Sequence, residues 1–403
     1  MNFTPQKKEV LMSKSIITLL LATVAVIFLF APELGVRQVF TYDFIQYWSA
    51  FRLSSMNANP YNESLMAEIQ NSLGYHNAPI MMYIAPIILF IMSPVLWLPF
   101  SQAAYMWALI NTAFIFIACS WIYKLYAKER ISSNLIPVSI VVISNIAVIN
   151  TIIFGQLGAI MCFCVAGMLN YHNNKNKILT AFFISLCSIK PHLVYLFIPA
   201  MFITKERSID WALARWTVLW TIILFGFTSL LFPSAMSGYM QEVLNPISPM
   251  RQQTQAFRVA TIVGQIRGWL FDFYGYDAPW LMYVIPCFAL LVVVIYYIKF
   301  YKPENFLYVA LPLLSISIFT CPYGWLFDQT ILAIIPVAAI AAHAKFNYSK
   351  IKKVHILAVC FAVNMVGIIE AALFDRPHAF TFLPLLMITI WIVMFKRIKS
   401  ETI

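Results

Sequence analysis

The stretch PIMMYIAPIILFIMSPVLWLPF, residues 79–100, decides which topology the rest of the chain can adopt. It is almost entirely apolar and long enough to cross a bilayer, which takes about 20 residues of helix. Prolines interrupt it at positions 79, 86, 94 and 99. Each proline removes a backbone donor and kinks or breaks a helix. We therefore predict a broken helix that lies at the outer interface of the bilayer and does not cross the bilayer.

The composition of the whole chain is typical of a polytopic membrane protein. Of its 403 residues, 62% are hydrophobic and 11% are charged, and the mean hydropathy is +0.80. A soluble domain of this length needs far more polar surface. The net charge of +11 is spread over short basic clusters between apolar segments, as in cytoplasmic loops, so we predict no nucleic-acid partner.

The basic clusters orient the apolar segments. If residues 79–100 stay outside the bilayer, twelve segments cross it, and the clusters and both termini are cytoplasmic. The first segment resembles a signal peptide but lacks a clear cleavage site, so we interpret it as a retained span. The long outer loops are then residues 33–100 and 233–278. The predicted segments are 15–32, 101–123, 133–153, 157–171, 178–188, 191–204, 209–231, 279–299, 304–320, 326–343, 354–374 and 379–395.

One part of this topology is too short for two ordinary spans. Only 27 residues separate Lys177 from Lys205, yet both are predicted to be cytoplasmic. We predict a hairpin of two short helices that turns at Lys190-Pro191, since proline and the residue before it disfavour a continuous helix. Lys190 then lies deep in the protein. It is either a functional cation or the partner of a carboxylate in a structural ion pair.

A lone carboxylate, Asp43, stands in the aromatic-rich stretch TYDFIQYWSAFRLSSMNANPYN, residues 41–62. Because this stretch follows the first span, we place it at the outer interface as an amphipathic helical segment. We favour a working site there. The alternative is an interfacial helix whose aspartate is only solvated and whose Trp and Tyr side chains form a membrane-interface belt.

All basic residues in the predicted outer loops are arginines, whereas the cytoplasmic clusters are mostly lysine. Arginine forms bidentate contacts with phosphate, so these positions are candidates for phosphate binding. The alternative is that arginine is merely tolerated at the interface. The outer arginines are Arg37, Arg52, Arg251, Arg258, Arg267 and Arg376.

Motifs of soluble enzymes are missing from the sequence. It has no phosphate-binding Gly-rich loop, no GxSxG and no His/Cys pair with catalytic spacing. The cysteines lack metal-ligand spacing, so we interpret them as small packing residues and predict no metal site. They are Cys119, Cys162, Cys164, Cys187, Cys287, Cys321 and Cys360.

Several short motifs, taken in order, resemble glycosyltransferase family 87, whose members are polytopic enzymes of the GT-C type. The resemblance spans most of the chain, and its specificity lies in the order and spacing of the motifs. They are D-F-x-x-Y-W-x-A at 43–50, N-P-Y at 59–61, YIAPIILFIMSPVLWLP at 83–99, N-T-I-I-F-G-Q-L-G at 150–158, S-I-K-P-H at 188–192 and C-P-Y-G-W-L-F-D-Q at 321–329.

The resemblance implies one GT-C-type helical domain over residues 1–403, with Asp43 as general base. Asp43 would deprotonate an acceptor hydroxyl that attacks the anomeric carbon of the donor. Departure of the polyprenyl phosphate develops negative charge, which fixed cations stabilise. The expected phosphate-binding residues are Lys190, Arg251, Arg258 and Arg267. The expected substrate-binding residues are Tyr47, Trp48, Arg52, Tyr61, Gln156, His192 and Asp328, with helix capping as the alternative for Gln156.

The implied reaction transfers a sugar, with mannose as the first candidate, from a polyprenyl-phosphate donor to a lipid or glycan acceptor with inversion. No cofactor is needed, and a divalent cation is not required. We expect the inner (cell) membrane of a bacterium, with the site on the periplasmic side. The sequence departs from the family pattern at the late motif, where Tyr323-Gly324-Trp325 precedes Asp328 and a histidine is expected. Asp328 then orients the site or pairs with an arginine.

Two other functions compete with this interpretation. A transporter or flippase of a lipid-linked or anionic solute also uses broken helices and buried charges. Such proteins usually show repeat symmetry, which the sequence lacks. An O-antigen ligase or polymerase favours a large outer loop with essential Arg and His, and the loop 233–278 has Arg without His.

Overall fold

The computed structural model describes residues 43–127, 135–204, 208–245, 259–299 and 306–346, together with short pieces between 358 and 392. The predicted first span, Arg37, Arg251, Arg258, Arg376 and most of the last two predicted segments lie outside the described residues. The helices described below therefore cover the central part of the chain.

The described residues form helices with turns and loops between them, and a single antiparallel bridge joins Ile203 and Ile209. This confirms the all-α prediction. The α-helices are α1 (Phe44–Ser55), α2 (Glu63–Ser72), α3 (Ile87–Leu96), α4 (Phe100–Ala127), α5 (Leu135–Ile143), α6 (Ile146–Phe154), α7 (Gly158–Asn173), α8 (Lys177–Leu186), α9 (Ile198–Met201), α10 (Trp211–Leu231), α11 (Pro233–Leu244), α12 (Ile262–Tyr274), α13 (Leu281–Lys299), α14 (Phe306–Thr320) and α15 (Ile334–Phe346). Short 3₁₀ helices cover Cys187–Ile189, Pro191–Leu193 and Leu326–Ala333.

Four helical runs of the described chain are long and apolar enough to cross a membrane: α4, α10, α13 and Leu326–His343. A fifth is formed if α5 and α6 count as one span, although the two helices meet at 66°. The bend occurs where the Asn145 side chain accepts a hydrogen bond from the Ala147 N–H and starts a new helix. The described residues thus do not confirm twelve crossings, and the predicted segment 133–153 is bent where α5 meets α6.

The outer loop predicted at 33–100 contains α1, α2 and α3. The prediction of an amphipathic segment is correct for α2, which buries Met66 and Gln70 and exposes most other side chains. It is wrong for α1, because this helix is covered on almost all sides, including Tyr47 and Phe51. A helix that is enclosed by protein holds its side chains in fixed positions, as a site requires.

The proline-rich stretch 79–100 yields one helix of ten residues, α3. Ten residues rise only about 15 Å, which is too short to cross the hydrocarbon core. The long helix α4 begins at Phe100, directly after Pro99. The structure therefore agrees with a broken segment that does not span by itself.

The predicted hairpin between Lys177 and Lys205 is present, but its second arm differs from the prediction. The first arm is α8, continued by a 3₁₀ turn to Ile189. After the turn at Lys190-Pro191, the chain returns through a 3₁₀ turn and the four-residue α9, not through a continuous helix. At the far end, Lys177 forms an ion pair of 2.8 Å with Asp210, so both ends of the hairpin lie together.

Candidate functional site

Asp43 lies immediately before α1 and faces the turn that follows α6. Its N–H donates to the carbonyl oxygen of Phe154 over 3.1 Å, and its Oδ2 accepts a hydrogen bond of 2.7 Å from Gln156 Nε2. The Asp43 side chain does not cap α1. Its second oxygen, Oδ1, receives no hydrogen bond from the described part of the chain, and the residue is partly exposed. One carboxylate oxygen is therefore held, and the other has no hydrogen-bond partner among the described residues.

The turn 154–158 carries glycines where side chains do not fit. Gly155 has φ +70°, the left-handed conformation that ends α6, and a Cβ there would lie 2.6 Å from Phe44 Cβ. A Cβ on Gly158 would lie 2.2 Å from the carbonyl oxygen of Phe327. The turn therefore contacts α1 on one side and the 3₁₀ helix at Leu326–Ala333 on the other. This explains the N-T-I-I-F-G-Q-L-G motif.

Gln156 has both ends of its amide in use. Nε2 donates to Asp43, and Oε1 accepts a hydrogen bond of 3.1 Å from the Tyr47 hydroxyl. Tyr47 is 2% exposed and Gln156 is 4% exposed. Two residues expected to bind substrate are therefore hydrogen-bonded to one another and to the expected base.

Lys190 forms a buried ion pair with Asp328. Its Nζ lies 2.6 Å from Asp328 Oδ1, and the two side chains are 6% and 0% exposed. Asp328 Oδ2 accepts a hydrogen bond of 2.9 Å from the Trp325 N–H, and the Lys190 ammonium lies 5.1 Å from the centre of the Phe327 ring. Among the described residues the ion-pair partner of Asp328 is Lys190, and no arginine that the structure describes takes that place.

Asp43 interacts electrostatically with the Lys190–Asp328 ion pair. Burial raises the pKa of the Asp43 carboxyl above its ordinary value of 3.8. The Gln156 hydrogen bond and the Lys190 ammonium lower it, and the Asp328 carboxylate raises it further. A carboxylate with an elevated pKa accepts a proton more readily, which suits a general base.

His192 and Tyr323 border the same site. The ring centroids of the two side chains are 6.3 Å apart, and His192 Nε2 is buried with no hydrogen-bond partner among the described residues. Trp325 Nε1 donates to the Tyr323 hydroxyl, and the Trp325 ring stacks on Phe327. In the sequence, Tyr323 and Trp325 stand out only because they depart from the family pattern at the late motif. Their proximity to Lys190-Pro191-His192 in space is invisible along the chain.

The expected substrate ligands Trp48 and Arg52 dock α1 against the start of α4. Trp48 Nε1 donates to the Leu98 carbonyl over 3.0 Å, and Arg52 Nη2 lies 3.3 Å from the same oxygen. The Arg52 guanidinium also lies 4.6 Å from the centre of the Trp48 ring. These contacts give both residues a packing role and do not test substrate binding.

Tyr61 and Arg267 also have partners within the protein. The Tyr61 hydroxyl donates to the Ile84 carbonyl over 2.9 Å. Arg267, which is 2% exposed, donates from Nε and Nη2 to the two oxygens of Asp277 over 2.9 and 2.8 Å. This bidentate pair ties the middle of α12 to the segment before α13. It uses donors that were expected to bind phosphate.

A metal ion has few candidate ligands near Asp43. Both Asp328 oxygens already accept hydrogen bonds, which leaves Asp43 Oδ1 as the open carboxylate oxygen of the pair. Within the part of the chain that the structure describes, no three His, Cys, Asp or Glu side chains form a group that could hold a metal ion.

Comparison with known proteins gives one family. The family model described as glycosyltransferase family 87 matches residues 85–321, more than half of the chain. This range contains Gln156 and Lys190 and ends before Asp328, and it begins after Asp43. No curated protein matches the chain.

Proposed function

Because the chain belongs to glycosyltransferase family 87, we propose that it transfers a sugar from a polyprenyl-phosphate donor to a hydroxyl of a lipid or glycan acceptor. The family gives the reaction class, and the apolar helices give the membrane setting. The proposed sugar is mannose-like, the product is inverted, and the site faces the periplasmic side of a bacterial inner membrane. These finer points rest on the motif resemblance and on the chemistry below.

The observation that carries the proposal is the state of the Asp43 carboxylate. Gln156 holds Oδ2 at 2.7 Å, Oδ1 has no hydrogen-bond partner in the part of the chain that the structure describes, and burial raises the pKa of the carboxyl group. In the proposed step, the acceptor oxygen bonds to the anomeric carbon as its proton moves to Asp43 Oδ1. The bond from the anomeric carbon to the phosphate oxygen breaks, and its electron pair leaves with polyprenyl phosphate. One base suffices, since the leaving group is a stable anion.

Lys190 is the proposed cation of the site, and its charge acts on the Asp43 carboxylate. An ammonium has three N–H donors, and Asp328 uses one of them. The remaining donors suit a phosphate oxygen of the departing group. His192, with its unpartnered Nε2, is a second proposed donor. Arg251 and Arg258 stay proposals outside the described residues, and Arg267 is the weaker candidate because Asp277 occupies it.

The test is sugar transfer by the purified full-length protein in detergent. Radiolabelled polyprenyl-phosphate sugars are offered with membrane lipid extract, and wild type is compared with Asp43→Asn. Asparagine keeps an oxygen that accepts from Gln156 but cannot take the proton. We expect turnover to fall at least 100-fold, within the range for loss of a general base. The matched control is Asp210→Asn. Asparagine can cap α10 as Asp210 does, and Asp210 lies at the start of α8, at the opposite end from Lys190.

Each outcome of this assay decides between functions. Transfer by wild type and Asp210→Asn but not by Asp43→Asn supports the proposal. Equal transfer by Asp43→Asn excludes this residue as the base. Binding of labelled lipid without transfer from any donor favours a lipid transporter.

A further inference from the structure

Three side chains form an unbroken line of hydrogen bonds that ends at the proposed base. The Tyr47 hydroxyl lies 3.1 Å from Gln156 Oε1, and Gln156 Nε2 lies 2.7 Å from Asp43 Oδ2. Tyr47 and Gln156 are almost fully buried, at 2% and 4% exposure. Both amide ends of Gln156 hydrogen-bond to protein atoms, and the burial of the side chain limits the access of a sugar hydroxyl to its remaining N–H and lone pair.

The chemistry of the groups fixes the direction of this line. An ionised carboxylate only accepts hydrogen bonds, so the Gln156 amide must turn its NH₂ toward Asp43. Its carbonyl oxygen then faces Tyr47, whose hydroxyl supplies the donor that this buried oxygen needs. The reversed amide would set two acceptors against each other at Asp43.

The backbone around Gln156 is held as firmly as its side chain. Its N–H donates to the Thr151 carbonyl over 2.9 Å, and Asn111 Nδ2 donates to the Gln156 carbonyl over 3.2 Å. Trp107 Nε1 donates to the preceding carbonyl, that of Gly155, over 2.9 Å. The long helix α4 therefore fixes the turn, and the turn fixes the amide.

We propose that Gln156 is a positioning residue for Asp43 and that Tyr47 sets the orientation of its amide. By occupying Oδ2, Gln156 leaves Oδ1 as the atom that receives the acceptor proton. This inference rests on the proposed function of Asp43 as the base. It replaces the expectation that Tyr47 and Gln156 bind substrate directly.

The charged and titratable groups around Asp43 come from several elements. Lys190 on the hairpin turn favours the carboxylate, and Asp328 in the 3₁₀ helix disfavours it. Tyr47 on α1 and Tyr323 in the turn before the 3₁₀ helix also interact with the Asp43 charge. Substitutions at Gln156 leave all four in place, so a changed pH profile reports on the Gln156 contact.

The experiment measures kcat, the donor KM and the pH profile of kcat/KM for full-length Gln156→Met and Tyr47→Phe. Methionine has a similar length without hydrogen-bonding ends. We expect kcat of Gln156→Met to fall on the order of 100-fold, as for a misplaced catalytic group, with donor KM within about 3-fold. The acid limb of its profile should move to higher pH, because the carboxylate loses a stabilising hydrogen bond.

Two further variants separate positioning from packing. We expect Tyr47→Phe to lower kcat on the order of 10-fold and to add little in the Gln156→Met background, since the two residues act as one unit. Gln156→Glu sets a second carboxylate beside Asp43 and should move the acid limb higher still. The control is Tyr126→Phe, which removes a buried hydroxyl from the opposite end of α4 and should leave the pH profile unchanged.

An acid limb and kcat of Gln156→Met equal to those of wild type overturn the inference, as does a fully additive Tyr47→Phe effect. If Gln156→Met does not fold, Gln156→Glu and Tyr47→Phe decide by the same profile. Failure of the proposed function looks different: Asp43→Asn then retains turnover. An inactive Asp43→Asn with unperturbed Gln156 variants refutes the positioning role alone.

Discussion

Removing Lys190 should destabilise the protein strongly, and removing its partner as well should restore much of the loss. In Lys190→Met, the Asp328 carboxylate stays fully buried, and the Trp325 N–H at 2.9 Å is its one remaining hydrogen-bond donor among the described residues. Breaking a buried ion pair on one side costs about 3–5 kcal/mol, since the remaining charge is uncompensated. In Lys190→Met/Asp328→Asn no charge remains, so we expect a cost of about 1–2 kcal/mol from the lost hydrogen bond.

The free energy of unfolding can be followed by circular dichroism during SDS titration of the protein in mixed micelles. The matched control is Lys177→Met, which breaks the ion pair with Asp210. There the lysine side chain is 49% exposed, and such surface pairs contribute about 1 kcal/mol or less. The cycle of single and double variants isolates the coupling between Lys190 and Asp328.

A loss below about 1 kcal/mol in Lys190→Met, equal to that of the control, would refute the reasoning, because a buried carboxylate without its cation is expected to be costly. The double variant also decides the role of Lys190. If it folds and still transfers sugar, Lys190 is a structural ion-pair partner. If it folds but turnover collapses, while folded Asp328→Asn keeps its turnover, Lys190 has an additional role toward the donor phosphate.

Three further predictions concern the same elements. The acid limb of the kcat/KM profile should lie above the ordinary Asp pKa of 3.8, because burial raises the pKa of Asp43. Activity is then lost as the pH falls through that raised value, and a limb at or below 3.8 contradicts the prediction. Gly158→Ala should destabilise the protein by about 1–3 kcal/mol, since the new Cβ would lie 2.2 Å from the Phe327 carbonyl oxygen. Its control is Gly226→Ala in α10, where a Cβ meets nothing within 4 Å and the change should be neutral or stabilising in the same unfolding assay. Arg267→Lys should lower the melting temperature and leave the donor KM at the wild-type value, because lysine cannot reproduce the bidentate contact with Asp277. A raised donor KM at unchanged stability instead assigns Arg267 to phosphate binding.

Composition and local motifs were sufficient for the class of protein, and the role of Asp43 as the base stays a prediction. An apolar fraction of 62% leaves no alternative to a membrane protein, and Pro191 predicts the break at the hairpin turn because its ring cannot continue a helix. Asp43 stood out as a lone carboxylate in an aromatic stretch, and the family match supports the enzyme class. The buried position of α1 was not predicted, because its aromatic residues fit an interface as well as a core.

The pairing of the polar side chains was decided only by the tertiary structure. Gln156 meets Asp43 across 113 residues, and Lys190 meets Asp328 across 138. Sequence alone identified these residues as unusual, since polar groups are costly within apolar segments. The sequence alone could not identify their partners. A buried donor or charge pairs with whichever acceptor lies within about 3 Å, and that is decided by how α4 and α7 pack around the turn 154–158 and the turn at Lys190-Pro191.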